Sequence, residues 1–191
     1  MALDKIRDRQ HPMKHALLII DVQQALCSGA EAAFDIDRVV DRINSVSTKA
    51  RVAGAPVFLI QHEETEGSLQ YGTEGWQLYE RLAVQPEDIR VRKTTPDSFR
   101  KTELQSLLQA RNVEKLAVCG LQSDFCVDWT VRRALVLGYP VVLVSVAHST
   151  VDNGVLSAAE ISAHHNTTLA NIGSFGPRVT LTKAAEVRFE A

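Results

Sequence analysis

The sequence predicts a three-layer α/β domain: a doubly wound, mainly parallel sheet of six strands in the order 3-2-1-4-5-6, with helices on both faces. Short β-rich apolar runs alternate with longer segments of 3.6-residue period, the signature of successive βαβ units. The chain has 191 residues, 45% of them hydrophobic and 23% charged. That is enough for one well-filled core and ordinary for a globular domain. Repeats, low-complexity tracts and linkers are absent from the sequence, so residues 15–191 read as a single domain behind an N-terminal arm, residues 1–14.

The first strand is read from His15 to Asp21. Asp35 is placed to cap a helix whose apolar face holds Ile36, Val39, Val40, Ile43, Val46 and Ala50, and Gly54 ends it before Pro56. Val57 to Ile60 form the second strand. The stretch from His62 to Asp88 has no clean period and reads as a long functional excursion, ordered by Trp76 and Tyr79. Ile89 to Arg92 make the third strand, and a helix is expected from Thr102 to Ala110. Leu116 to Cys119 make the fourth strand, followed after a turn by a helix from Asp124 to Leu137, which Gly138 stops. Val141 to Val146 are the fifth strand, Val155 to Asn171 the last helix, and Val179 to Thr182 the sixth strand.

Composition narrows the function. A net charge of −2 leaves no basic excess to displace counterions from a phosphate backbone, which argues against nucleic acid as a partner. No apolar run approaches the roughly 20 residues needed to cross a bilayer, so no membrane partner is expected. Met1 to His15 carries charges of both signs without an apolar core, unlike a secretory signal. Cys27, Cys119 and Cys126 are odd in number and lack CxxC spacing, which fits reduced thiols and a cytoplasmic location.

Strands 1 and 4 are neighbours at the switch point of such a sheet, where ligands bind outside the carboxyl ends. Asp21 follows strand 1 and Cys126 follows strand 4, so the two meet there; Lys93 follows strand 3, two places away, so its loop is expected to fold back over strand 2. Cys126 is read at a helix start, where free N–H groups and the dipole lower a thiol pKa and favour the nucleophilic thiolate. Asp21 would move its proton, and Lys93 would keep Asp21 ionised. Alone, Asp21 would be an ordinary turn residue, Lys93 a solvated lysine and Cys126 a small buried hydrophobe. Their shared position is what singles them out.

Asp21-Val22-Gln23, Lys93 and Gly120-Leu121-Gln122-Ser123-Asp124-Phe125-Cys126-Val127-Asp128 resemble the isochorismatase-like cysteine hydrolases, a group that includes nicotinamidases and several amidohydrolases. The resemblance runs from Ala16 to about Thr182 and includes Ala147-His148-Ser149-Thr150. It implies an Asp21–Lys93–Cys126 triad and a cis peptide at Leu121-Gln122. It also implies an oxyanion hole from the N–H groups of Gln122 and Cys126. Gln23, Leu26, His62, Trp76 and Phe125 are expected to contact a small-molecule substrate. A homo-oligomer, dimer or tetramer, is expected.

The chain departs from nicotinamidases where they carry an Asp-x-His metal pair after strand 2; here the residues are Gln61-His62-Glu63-Glu64. Leu26 replaces their stacking aromatic, and Val146 stands where many relatives have an aspartate. Neither metal nor other cofactor is therefore expected, and nicotinamide is not the expected substrate. The resemblance implies hydrolysis of an amide, ureide or carbamoyl C–N bond through a Cys126 acyl-enzyme. The alternatives are vinyl ether hydrolysis with Asp21 as acid, and a non-catalytic binding protein.

Overall fold

A computed structural model describes residues 13–190. The expected N-terminal arm lies outside the described residues over positions 1–12. Six strands, β1 (His15–Ile20), β2 (Val57–His62), β3 (Ile89–Lys93), β4 (Lys115–Leu121), β5 (Val141–Ser149) and β6 (Val179–Thr182), form one sheet in the order β3-β2-β1-β4-β5-β6. Every pairing is parallel. The expected architecture is present, with no antiparallel strand in the sheet.

β1 lies at the centre and all six of its residues are buried, as a strand covered on both faces requires. Its alternation assigns side chains to two cores. Leu17 and Ile19 pack with Val39, Val40, Ile43 and Val46 of α2 (Ile36–Val52). Ala16, Leu18 and Ile20 pack on the opposite face with Leu104 and Leu108 of α3 (Leu104–Ala110), Val131 and Leu135 of α4 (Asp128–Val136) and Leu169 of α5 (Ala158–Ala170). A short first helix, α1 (Gln24–Cys27), leads out of β1 towards α2.

α2 starts where expected but without its expected cap, and two other helix starts shift. Asp35 stands before α2 with φ +52° and no capping bond from its side chain; its carboxylate lies 3.8 and 3.9 Å from Arg38 and Arg42 instead. α3 opens at Leu104 rather than Thr102, after Thr102 donates its hydroxyl back to the Ser98 carbonyl at 2.6 Å. α5 opens at Ala158 rather than Val155. There Ser157 and Glu160 cap each other reciprocally, so the first orphan N–H groups are satisfied at that point and not earlier.

The largest correction concerns the expected helix from Asp124. Ser123–Val127 form a wide π-helical turn, and regular α4 begins only at Asp128. The Gln122 carbonyl closes that turn by accepting the N–H of Val127 at 3.1 Å, five residues on, and that of Phe125 at 3.1 Å.

Candidate active site

Asp21 leaves β1 with φ +50°, a left-handed conformation that a non-glycine residue adopts at a cost and that clusters at functional sites. Its N–H is held by the Ile60 carbonyl at 2.9 Å, and its own carbonyl accepts the Gln23 N–H at 2.9 Å. The chain thus reverses sharply at the crevice between β1 and β4. β4 comes unusually close here. Gly120 pairs with Ile20 and has φ +115°; a Cβ on it would sit 2.6 Å from the Ile20 nitrogen. Only glycine fits that contact.

Lys93 is the last residue of β3, paired with His62 of β2. The expectation that its loop folds back over strand 2 is replaced by a simpler arrangement: the backbone stays in the sheet and the long side chain spans β2. Its Nζ lies 2.7 Å from Asp21 Oδ2, 3.1 Å from Cys126 Sγ and 3.3 Å from His62 Nδ1. The ammonium donates hydrogen bonds to the sulfur and the imidazole nitrogen, and its contact with Asp21 is a salt bridge. Burial opposes the charge on Lys93, but Asp21 and then Cys126 outweigh it and hold its pKa above the ordinary lysine value. Because the ammonium can only donate, His62 Nδ1 accepts and the His62 proton sits on Nε2, 3.7 Å from Glu64 Oε1. Burial and the neighbouring Lys93 push the His62 pKa down, so the ring is neutral.

Cys126 lies in the π turn, just before α4, and the Leu121–Gln122 peptide that precedes the turn is cis. The expected depression of its thiol pKa is not what the environment produces. Burial first, then the Asp21 carboxylate, push it up; Lys93 opposes them and loses. The resting group is therefore a neutral thiol beside an Asp21–Lys93 ion pair. The helix start that was to favour the thiolate lies two residues further on, at Asp128.

These groups open onto a cavity of about 760 Å³. Asp21, Gln122, Cys126, Leu26, His62 and Phe125 all line it. Two residues expected at the substrate do not. Gln23 is fully buried and spends its amide on backbone: Oε1 accepts the His62 N–H at 2.8 Å, and Nε2 donates to the carbonyls of His62 and Trp76 at 2.9 Å each. It fastens the excursion to β2. Trp76 lines a separate depression beside Arg90 and Arg92, and packs edge-on against Tyr71 at 4.7 Å, which orders the excursion.

Sequence reading missed the first part of that excursion. Glu63, Glu64 and Glu66 line the cavity, with Thr94 and Pro96 opposite. The signal was available, since these carboxylates leave the carboxyl end of strand 2, where such sheets bind ligands. Among the described residues no cluster of three or more His, Cys, Asp or Glu side chains is placed to hold a metal ion, and no helix is long and apolar enough to cross a membrane.

The chain is similar to known proteins. The family model described as the Isochorismatase domain matches residues 15–180. A streptothricin hydrolase of Streptomyces noursei is 44% identical over 148 residues, 77% of this chain and 53% of that protein. The chain thus spans about half the length of that relative. A ureidoacrylate amidohydrolase, RutB, of Caulobacter vibrioides is 28% identical over 67% of this chain and 73% of its own. Among solved structures, an isochorismatase family protein superposes with a TM-score of 0.81 at 38% identity, covering 88% of this chain and 98% of that one.

Proposed function

Because the chain belongs to the isochorismatase family, we propose that it is a cysteine hydrolase cleaving an amide, ureide or carbamoyl C–N bond of a small molecule. One observation carries this reading: a buried ammonium joins a carboxylate at 2.7 Å and a thiol at 3.1 Å on the wall of a cavity. Relatives named as a hydrolase and an amidohydrolase support it.

In this mechanism Asp21 takes the Cys126 proton as the sulfur attacks the substrate carbonyl. The raised thiol pKa makes that transfer necessary, because the thiolate is not preformed. The N–H groups of Gln122 and Cys126 meet the oxyanion, and protonated Asp21 then gives its proton to the departing nitrogen. Water, deprotonated by Asp21, adds to the thioester carbon; the C–S bond breaks, the acid leaves, and Asp21 returns its proton to the Cys126 sulfur. Lys93 pairs with the Asp21 carboxylate at 2.7 Å and steadies the sulfur as charge develops on it.

The cavity also bears on the vinyl ether reading. Among the described residues its lining includes Glu63, Glu64 and Glu66 but no lysine or arginine. Glu63 is paired with Arg92 at 2.6 Å, which leaves Glu64 and Glu66 to set the local charge. A dianionic substrate of the isochorismate kind would meet repulsion there, whereas a neutral or cationic amide would not.

The test is an ammonia-release screen over small amides, ureides and carbamoyl compounds, run with excess chelator. Turnover should persist without metal, and Cys126→Ala should lower it on the order of 10³-fold or more. Substantial turnover by Cys126→Ala would overturn the acyl-enzyme reading and favour acid catalysis by Asp21.

A further inference from the structure

β5 loses its register with β4 as it passes the nucleophile turn. Val118 faces Leu143 but Gly120 faces His148, so two steps along β4 are matched by five along β5. The extra residues form a bulge whose carbonyls are taken by side chains: Arg42 donates to Val146 at 2.9 Å and Asn166 Nδ2 to Ser145 at 3.1 Å. Bulges commonly re-aim the residues that follow them. Here they bring His148 and Thr150 under the π turn, where they hold two consecutive residues. His148 Nδ1 lies 2.8 Å from Ser123 Oγ, and the Thr150 hydroxyl donates to Asp124 Oδ1 at 2.6 Å.

The protons in this chain of bonds can be placed. Asn166 donates through Nδ2, so the atom it turns to His148 Nε2, at 3.0 Å, is its oxygen. An amide oxygen only accepts, and the His148 proton is therefore on Nε2. Nδ1 is bare and takes the Ser123 hydroxyl hydrogen, which leaves Ser123 Oγ open to the Ser162 hydroxyl at 2.9 Å. His148 is 4% exposed, and burial disfavours its charged form. Every polar atom of the ring is committed, yet none of them touches the cavity.

We propose that His148 is a positioning residue: through Ser123 it seats the π turn so that Cys126 faces Asp21 and Lys93. This rests on the reading of Cys126 as the nucleophile. A ring that merely filled space would serve as well without nitrogens, whereas a positioning ring would not.

The experiment follows iodoacetamide labelling of Cys126 by peptide mass spectrometry, across pH, in the full chain and in His148→Phe, Ser123→Ala and Ser123→Thr, with thermal melting alongside. His148→Phe and Ser123→Ala should each slow Cys126 labelling about tenfold or more and shift its pH–rate profile. Together they should do little more than either alone, since both remove the bond that His148 and Ser123 share. Ser123→Thr, which keeps the hydroxyl, should restore most of the rate. Folded single variants labelling within about twofold of the parent would overturn the proposal. Should His148→Phe fail to fold, the Ser123→Ala and Ser123→Thr pair decides alone. In the parent, labelling of Cys126 no faster than Cys27 and Cys119 would sink the nucleophile reading itself. A selective parent with equally selective variants would sink only the role of His148.

Discussion

Lys93 shows how far a single residue can be read from sequence. Its place at a strand end, level with Asp21 and Cys126, was legible because parallel sheets gather polar groups at that edge. Its three contacts were not, since nothing local says that His62 supplies the third. Gln23 and Trp76 were misjudged for a related reason: a polar side chain near a site can face backbone as readily as ligand. The Cys126 thiol was misjudged in sign, because local sequence shows a turn but not the burial that outweighs Lys93. The corrected sign gives a distinct expectation. Labelling of Cys126 by iodoacetamide should keep rising as pH goes from 7 to about 10, as the thiolate fraction of a high-pKa thiol must. A plateau already reached near pH 6 would show a preformed thiolate and contradict the resting state described above.

At the scale of elements, strands were legible to within one to three residues, since buried β-branched runs announce themselves. Of the long helices, only α2 had a legible start. The Ser157-Ala158-Ala159-Glu160 capping box carried a readable signal, but the apolar residues Val155 and Leu156 drew the reading earlier, and both are exposed. The π turn carried no sequence signal at all, because its extra width depends on what holds it from β5 and α5. The junction of β1 and β4 is the sharper determinant of the site. Gly120→Ala has no room to relax except by moving the Ile20 backbone, one residue before Asp21. Overpacking of this kind costs about 1–3 kcal/mol, and the positive φ adds to it. A drop of that size in urea stability, together with a loss of turnover larger than the unfolded fraction explains, is expected. An unchanged midpoint would show that the strands part easily.

For the molecule as a whole, the strand order was legible because crossover handedness leaves few ways to wind six strands. Buried ionisable groups then set the pH range of stability. Burial lowers the pKa of His15, His62 and His148 from 6.5 in the folded chain. The unfolded chain takes up those protons first, so stability present above pH 6.5 should be lost as pH falls below it. Burial raises Cys27 from 9.0 to about 12 and lifts Cys119 and Cys126 as well. The unfolded chain releases those protons first, and stability present below pH 9 should be lost as pH rises beyond it. Urea midpoints measured from pH 5 to 10 should therefore peak between about 6.5 and 9, and a flat profile would contradict the buried, neutral states. The two cores on either side of the sheet carry one more consequence. Val22 and Cys27, which flank the exit from β1, belong to the α2 side, whereas Val127 and the packing around Cys126 belong to the other. Asp21 and Cys126 are thus anchored in separate layers and face each other beside the ammonium of Lys93. Slippage of either layer by an ångström disconnects them while the strands remain paired. Mild urea should accordingly abolish the proposed hydrolase activity well before far-ultraviolet circular dichroism records any loss of helix, and dilution should restore it at once.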